Sequence, residues 1–233
     1  YSVSYQIGSI VNFYWAPIGV VLLPAIAPLY EKGDIQSAKI YLSHSLKFFL
    51  VLTIPSVFGL SILSKSILKT LTTPEFIQGY LVILIVAMAK AILSVGLFYQ
   101  TVLMLAKRTN TVSILYAITA VVNLTTNVIL VPRMGILGAA TATLASFIIH
   151  FVMLYTLGTK ELTFEVDLKF IMKSFISAMV MGAVIYFINS VGLVNLLISV
   201  VVGAAVYFIV LILLRGFTRH EYNFLRKLFK PGE

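Results

Sequence analysis

The chain has 233 residues, 60% of them hydrophobic and 11% charged, with a mean hydropathy of +1.04. A water-soluble domain of this size needs roughly a quarter of its residues charged to cover its surface, so lipid must be the solvent. The formal charge of +9 gathers as Lys and Arg in short breaks between apolar runs, the pattern of membrane loops and not of a nucleic-acid surface.

A helix crossing ~30 Å of hydrocarbon takes about 20 mostly apolar residues. Seven stretches qualify, at about Ser2–Leu29, Leu46–Leu63, Ile77–Ala106, Thr111–Val131, Gly135–Leu157, Leu168–Ile188 and Val194–Leu214. The second is the shortest and has Lys47 at its edge. These are solid apolar runs, not the residue-by-residue alternation of a membrane barrel, so the fold class is all-α: a polytopic transmembrane helix bundle. The chain opens at Tyr1, inside an apolar pattern, with no Met and nothing like a cleaved signal peptide, which predicts an absent N-terminal portion.

Alternating the spans puts Lys32, Lys39, Lys47, Lys107, Arg108, Lys160, Lys169 and Lys173 on one face, with Arg215, Arg219, Arg226, Lys227 and Lys230 of the tail. Lys65, Lys69 and Arg133 fall on the other. The rich side is expected to be cytoplasmic, with the first helix entering from outside and the C-terminus inside the cell membrane. After Leu214, Thr218 and Glu221 have capping-box spacing, and Tyr222, Leu225 and Leu228 form an apolar stripe. That tail reads as a short amphipathic surface helix, or equally as a cationic anchor that enforces topology.

Lys90 stands near the middle of the third span. A central Lys costs about 2.5–3.5 kcal/mol to insert, so it is expected to face the bundle interior or a watery cavity, where it would attract an anionic group such as phosphate. A structural contact with a helix carbonyl is the plainer alternative. All eight acids lie in loops, at span edges or in the tail, so no carboxylate reaches mid-membrane, which leans away from an exporter of cations. Pro17 and Pro24 interrupt the first span and Pro55 the second, as candidate hinges or as the ordinary prolines of membrane helices. Asn123 and Asn127 share a face of the fourth span, where they line a cavity or, more economically, bond between helices. Gly135, Ala139, Ala142 and Ser146 make a small-residue stripe for close packing, and His150 reads as a hydrogen-bonded packing residue. The absence of cysteine excludes thiolate sites, the three histidines lack metal-ligand spacing, and there is no phosphate loop or nucleophile elbow. Neither an enzyme, a metal nor a cofactor is indicated.

Three patterns occur in order: Leu23-Pro24-Ala25-Ile26-Ala27-Pro28-Leu29-Tyr30-Glu31-Lys32-Gly33-Asp34, then Leu105-Ala106-Lys107-Arg108-Thr109, then Asn123 to Asn127 with Val131-Pro132-Arg133-Met134-Gly135-Ile136-Leu137-Gly138-Ala139-Ala140. This order resembles the polysaccharide exporters of the multidrug/oligosaccharidyl-lipid/polysaccharide flippase superfamily, and the Pro-Arg-x-Gly-x-x-Gly-Ala-Ala piece is the most specific. The resemblance implies the C-terminal portion of a MATE-like, two-lobe, fourteen-helix transporter. Residues 1–158 would then be second-lobe helices lacking the lobe's first, 159–214 two additional helices, and 215–233 the cytoplasmic tail. It also implies a flippase moving an anionic lipid-linked oligosaccharide or polysaccharide precursor by alternating access, with the missing N-terminal lobe as partner. A drug/cation antiporter of the same superfamily and a non-transporting assembly protein are the rival expectations.

Overall fold

The computed structural model describes residues 2–73, 77, 79–188 and 192–217. The amphipathic tail expected after residue 217, with Thr218, Glu221 and His220, lies outside the described residues, as does Glu75. Eight α-helices are described: α1 Ser2–Ser9, α2 Trp15–Glu31, α3 Ile35–Leu71, α4 Tyr80–Leu105, α5 Thr109–Met134, α6 Ile136–Glu161, α7 Leu168–Phe187 and α8 Leu193–Leu213. A 3₁₀ segment, Ile10–Tyr14, joins α1 to α2, and the two together with it make one span, so seven spans result.

The first span is therefore interrupted at Ile10–Tyr14 and not at its prolines. Pro17 sits in the first turn of α2, where its missing N–H has no helical acceptor to serve, and α2 runs on through Pro24 and Pro28. Likewise α3 continues through Pro55. One lost donor does not end a helix whose apolar neighbours hold it in place.

The second span is the largest correction: α3 has 37 residues, and Lys39 and Lys47 lie within it, not in a loop. Asp34 caps it by accepting the Ser37 N–H at 3.1 Å, after Gly33 turns the chain with a φ of +80°. Parallel to it, α7 pairs Phe170 with Lys47, Phe175 with Phe58 and Gly182 with Ile62, so α7 covers roughly the stretch from Lys47 onward. α8 closes that side, and the hydroxyls of Ser174 and Tyr207, both buried, bond α7 to α8 at 2.6 Å.

On the other side α4 is the axis, packed on α1, α2, α3 and α6, and α6 lies between α4 and α5. Gly135, with a φ of +57° that favours glycine, turns α5 into α6. The close-packing face beyond it comprises buried Gly138, Ala142 and Ser146, one register away from the expected Gly135 and Ala139. An added Cβ at Gly138 would come within 2.6 Å of the Leu130 carbonyl carbon.

An extended strap, residues 162–167, carries the chain from α6 to α7. Buried Leu162 and the Phe164 ring, stacked 5.0 Å from Tyr99, fix it to the bundle. Arg108 pairs with Glu161 at 2.9 Å, and buried Lys47 with Asp167 at 3.2 Å. The outer faces are apolar and bare, as at Leu124 on α5, Met172 on α7 and Val201 on α8. In water this would be a liability, and in hydrocarbon it is the expected surface.

Candidate functional site

Lys90 is the eleventh of the 26 residues of α4, and Phe147 the twelfth of the 26 of α6, so both lie at mid-span. The Lys90 ammonium sits 5.2 Å from the Tyr5 ring centroid and 5.4 Å from that of Phe147. It is thus held between α1 and α6 by two π faces. Tyr5 reaches it because α1 lies close on α4: a Cβ at Gly8 would stand 2.9 Å from both the Ile83 carbonyl oxygen and the Val86 Cβ. Helical side chains lean toward the N-terminus, which carries the Lys90 stem back toward the level of Tyr5.

Cation–π contact is worth about 2 kcal/mol when desolvated, comparable to much of the ~2.5–3.5 kcal/mol insertion cost of a central Lys. Among the described residues no carboxylate pairs with Lys90; the two ion pairs Lys47–Asp167 and Arg108–Glu161 involve other helices and the strap. Its positive charge is attracted but not cancelled. One turn further along α4, buried Ser94 donates to the Asn12 Oδ1 at 3.2 Å, in the 3₁₀ break of the first span. A polar layer therefore crosses the apolar interior here, shared by the break and the charged helix. Tyr5, Phe147, Asn12 and Ser94 carry no isolated sequence signal, since each is an ordinary residue of an apolar helix until folding sets it beside Lys90.

Asn123 and Asn127 are brought together, but not onto Lys90. The Asn127 amide donates to Asn123 Oδ1 at 3.1 Å and to the Asn123 carbonyl at 2.8 Å. Asn123 in turn donates to Ser146 on α6 at 3.2 Å, so the pair ties α5 to α6. His150, fully buried on α6, lies against Thr119 at 2.7 Å. The Thr119 hydroxyl is also within hydrogen-bond distance of the Leu115 carbonyl, 2.7 Å away. The Tyr116 ring stands 4.7 Å from that of His150, and the Tyr116 hydroxyl donates to Gln100.

Residues 13–205 match the family described as lipid II flippase MurJ. A curated relative, the probable low-salt glycan biosynthesis flippase Agl15 of Haloferax volcanii, is 26% identical over 207 residues, covering 87% of this chain and 43% of that protein. A solved lipid II flippase MurJ, in an inward closed conformation, superimposes with a TM-score of 0.71 at 22% identity, covering 99% of this chain and 46% of that one. The chain thus spans a little under half the length of either, in keeping with the half-transporter reading. The seven-span bundle and the match over most of the chain's length bear out the superfamily expected from sequence: the chain belongs to the lipid II flippase MurJ family.

Proposed function

We propose that this chain works as the second half of a flippase that moves a lipid-linked oligosaccharide or polysaccharide precursor across the cell membrane. The observation that carries this reading is the mid-span Lys90 ammonium, cradled by Tyr5 and Phe147 and paired with no carboxylate among the described residues. A cation so placed receives an anion that enters the cavity between lobes, and a phosphate of a lipid-linked sugar supplies one while its hydrocarbon tail stays in the bilayer. Asn123 and Asn127, already bonded to each other and to Ser146, support the helices around the path and do not grip the cargo. Residues 1–158 act as the lobe and 159–214 as an added helix pair, rocking against the absent partner lobe, with a membrane potential or ion gradient giving direction. The Lys-rich face, and with it the C-terminus, is cytoplasmic.

The test uses the full-length protein in proteoliposomes, with flipping of a fluorescent lipid-linked sugar as the readout. Lys90→Gln and Lys90→Ala are expected to slow flipping by at least about tenfold, the worth of one charge contact in a dry site, while Lys90→Arg keeps part of it. Unchanged flipping in both neutral variants would refute the role, and export of a cationic dye in place of the lipid-linked sugar would favour the antiporter.

A further inference from the structure

We propose that the α3 end of the bundle carries a headgroup site for a zwitterionic phospholipid, one bearing both a phosphate and an ammonium. The site is a cavity of about 380 Å³ lined by Lys39, Ser43 and His44 of α3 and by Thr163, Phe164 and Glu165 of the strap. This volume falls within the range of small-ligand pockets.

Its depth follows from helix lengths. α7 has 20 residues, about one hydrocarbon thickness at 1.5 Å per residue, and Asp167 at its start is bonded to Lys47. Lys47 therefore stands at the hydrocarbon boundary. His44, Ser43 and Lys39 come three, four and eight residues earlier on the same helix, roughly 4.5, 6 and 12 Å further out. The headgroup layer is about 5–7 Å deep on each side, so the cavity lies in it and opens beyond it. Tyr41, half exposed at the same level, fits an interfacial position.

The chemistry of the lining selects the ligand. Lys39 and Glu165 line one cavity with opposite charges, yet form no ion pair with each other or with another described residue. A ligand carrying both charges satisfies both: its phosphate accepts from Lys39 and the Ser43 hydroxyl, and its ammonium donates to Glu165. Phe164 is held to Tyr99 by stacking, so the strap presents a fixed wall against which the headgroup rests.

The experiment is native mass spectrometry of the purified full chain with phosphatidylethanolamine or phosphatidylglycerol added at equal concentration. Phosphatidylethanolamine should be retained roughly tenfold better, since only it offers Glu165 a charged donor. Glu165→Gln should bring the two lipids level, and Lys39→Glu should weaken retention of both, since it removes the phosphate's cation. The swapped pair, Lys39→Glu with Glu165→Lys, should restore retention of phosphatidylethanolamine, because the headgroup can bind reversed, and that rescue also shows the variants are folded. Equal retention by the parent, a preference for phosphatidylglycerol, or an unchanged ratio in Glu165→Gln overturns the proposal. So does displacement of the lipid by an equal concentration of free phosphoethanolamine, which would make this a site for a soluble ligand.

Discussion

Asp167 and Lys47 form a pair whose two halves should respond very differently to removal. Lys47 is 8% exposed in its side chain and lies 5.0 Å over the Phe170 ring, whereas Asp167 is 45% exposed. Asp167 does two things: its Oδ2 meets Lys47 at 3.2 Å, and its Oδ1 caps α7 by accepting the Phe170 N–H at 2.9 Å. Asp167→Ala loses a cap worth about 1 kcal/mol and removes the Asp167 carboxylate from the buried Lys47 ammonium. In a closed interior that second loss is about 3–5 kcal/mol, but water reaching the half-exposed site reduces it, so about 2–4 kcal/mol in total is expected. Lys47→Met keeps the cap, the stem's packing and a solvated Asp167, and should cost about 1 kcal/mol or less. Unfolding in mixed micelles of rising SDS fraction, followed by far-ultraviolet circular dichroism, measures both. If Lys47→Met costs as much as Asp167→Ala, the reasoning fails, because the pair would then stabilise by net attraction and not mainly by offsetting the burial of the Lys47 charge.

The same carboxyl sets a pH dependence. Burial pushes the Asp167 pKa up, but the Phe170 N–H and Lys47 together outweigh it and hold the group below its ordinary value. A depressed pKa contributes stability that is complete above the ordinary carboxylate value of about 4 and is lost as pH falls through the folded one. The stability gap between parent and Asp167→Asn should be flat from about pH 5 to 8 and should shrink on acidification below about 4, read by the same titration. Gly138→Ala forces its Cβ against the Leu130 backbone, and overpacking of this kind should cost about 1–3 kcal/mol; an unchanged midpoint would count against the close α5–α6 approach. Ser174→Ala leaves the buried Tyr207 hydroxyl without its partner, at about 1–3 kcal/mol, and adding Tyr207→Phe should recover most of that in a double-mutant cycle.

Where composition alone governs, the sequence reading and the structure agree: seven apolar runs became seven spans because length and hydropathy decide insertion. Lys39, His44 and Lys47 break the apolar run of the second span, so hydropathy alone gives a span shorter than the 37-residue helix. Lys47 is helical and buried since Asp167, far along the chain, neutralises it, and such a partner is invisible to local hydropathy. Pro24 and Pro55 look like breaks, yet the helices continue through both, whereas Ile10–Tyr14 has no proline and departs from α-helical form. Lys90 was legible because a charge in an apolar run is conspicuous by itself. The rings that receive it were not, because aromatic residues are common in such runs and only the close fit of Gly8 on α4 brings Tyr5 to the charge.

The unequal lengths of α3 and α7 have a mechanical consequence. With 37 residues, α3 overhangs its 20-residue neighbour, so a thicker bilayer finds spare helix on α3 and none on α7. Mismatch of fractions of a kcal/mol per Å then acts on the outer helix pair alone, drawing the strap and its Lys47–Asp167 clasp toward the oil while the inner bundle keeps its footing. Of the two, α7 is the helix whose length must match the bilayer.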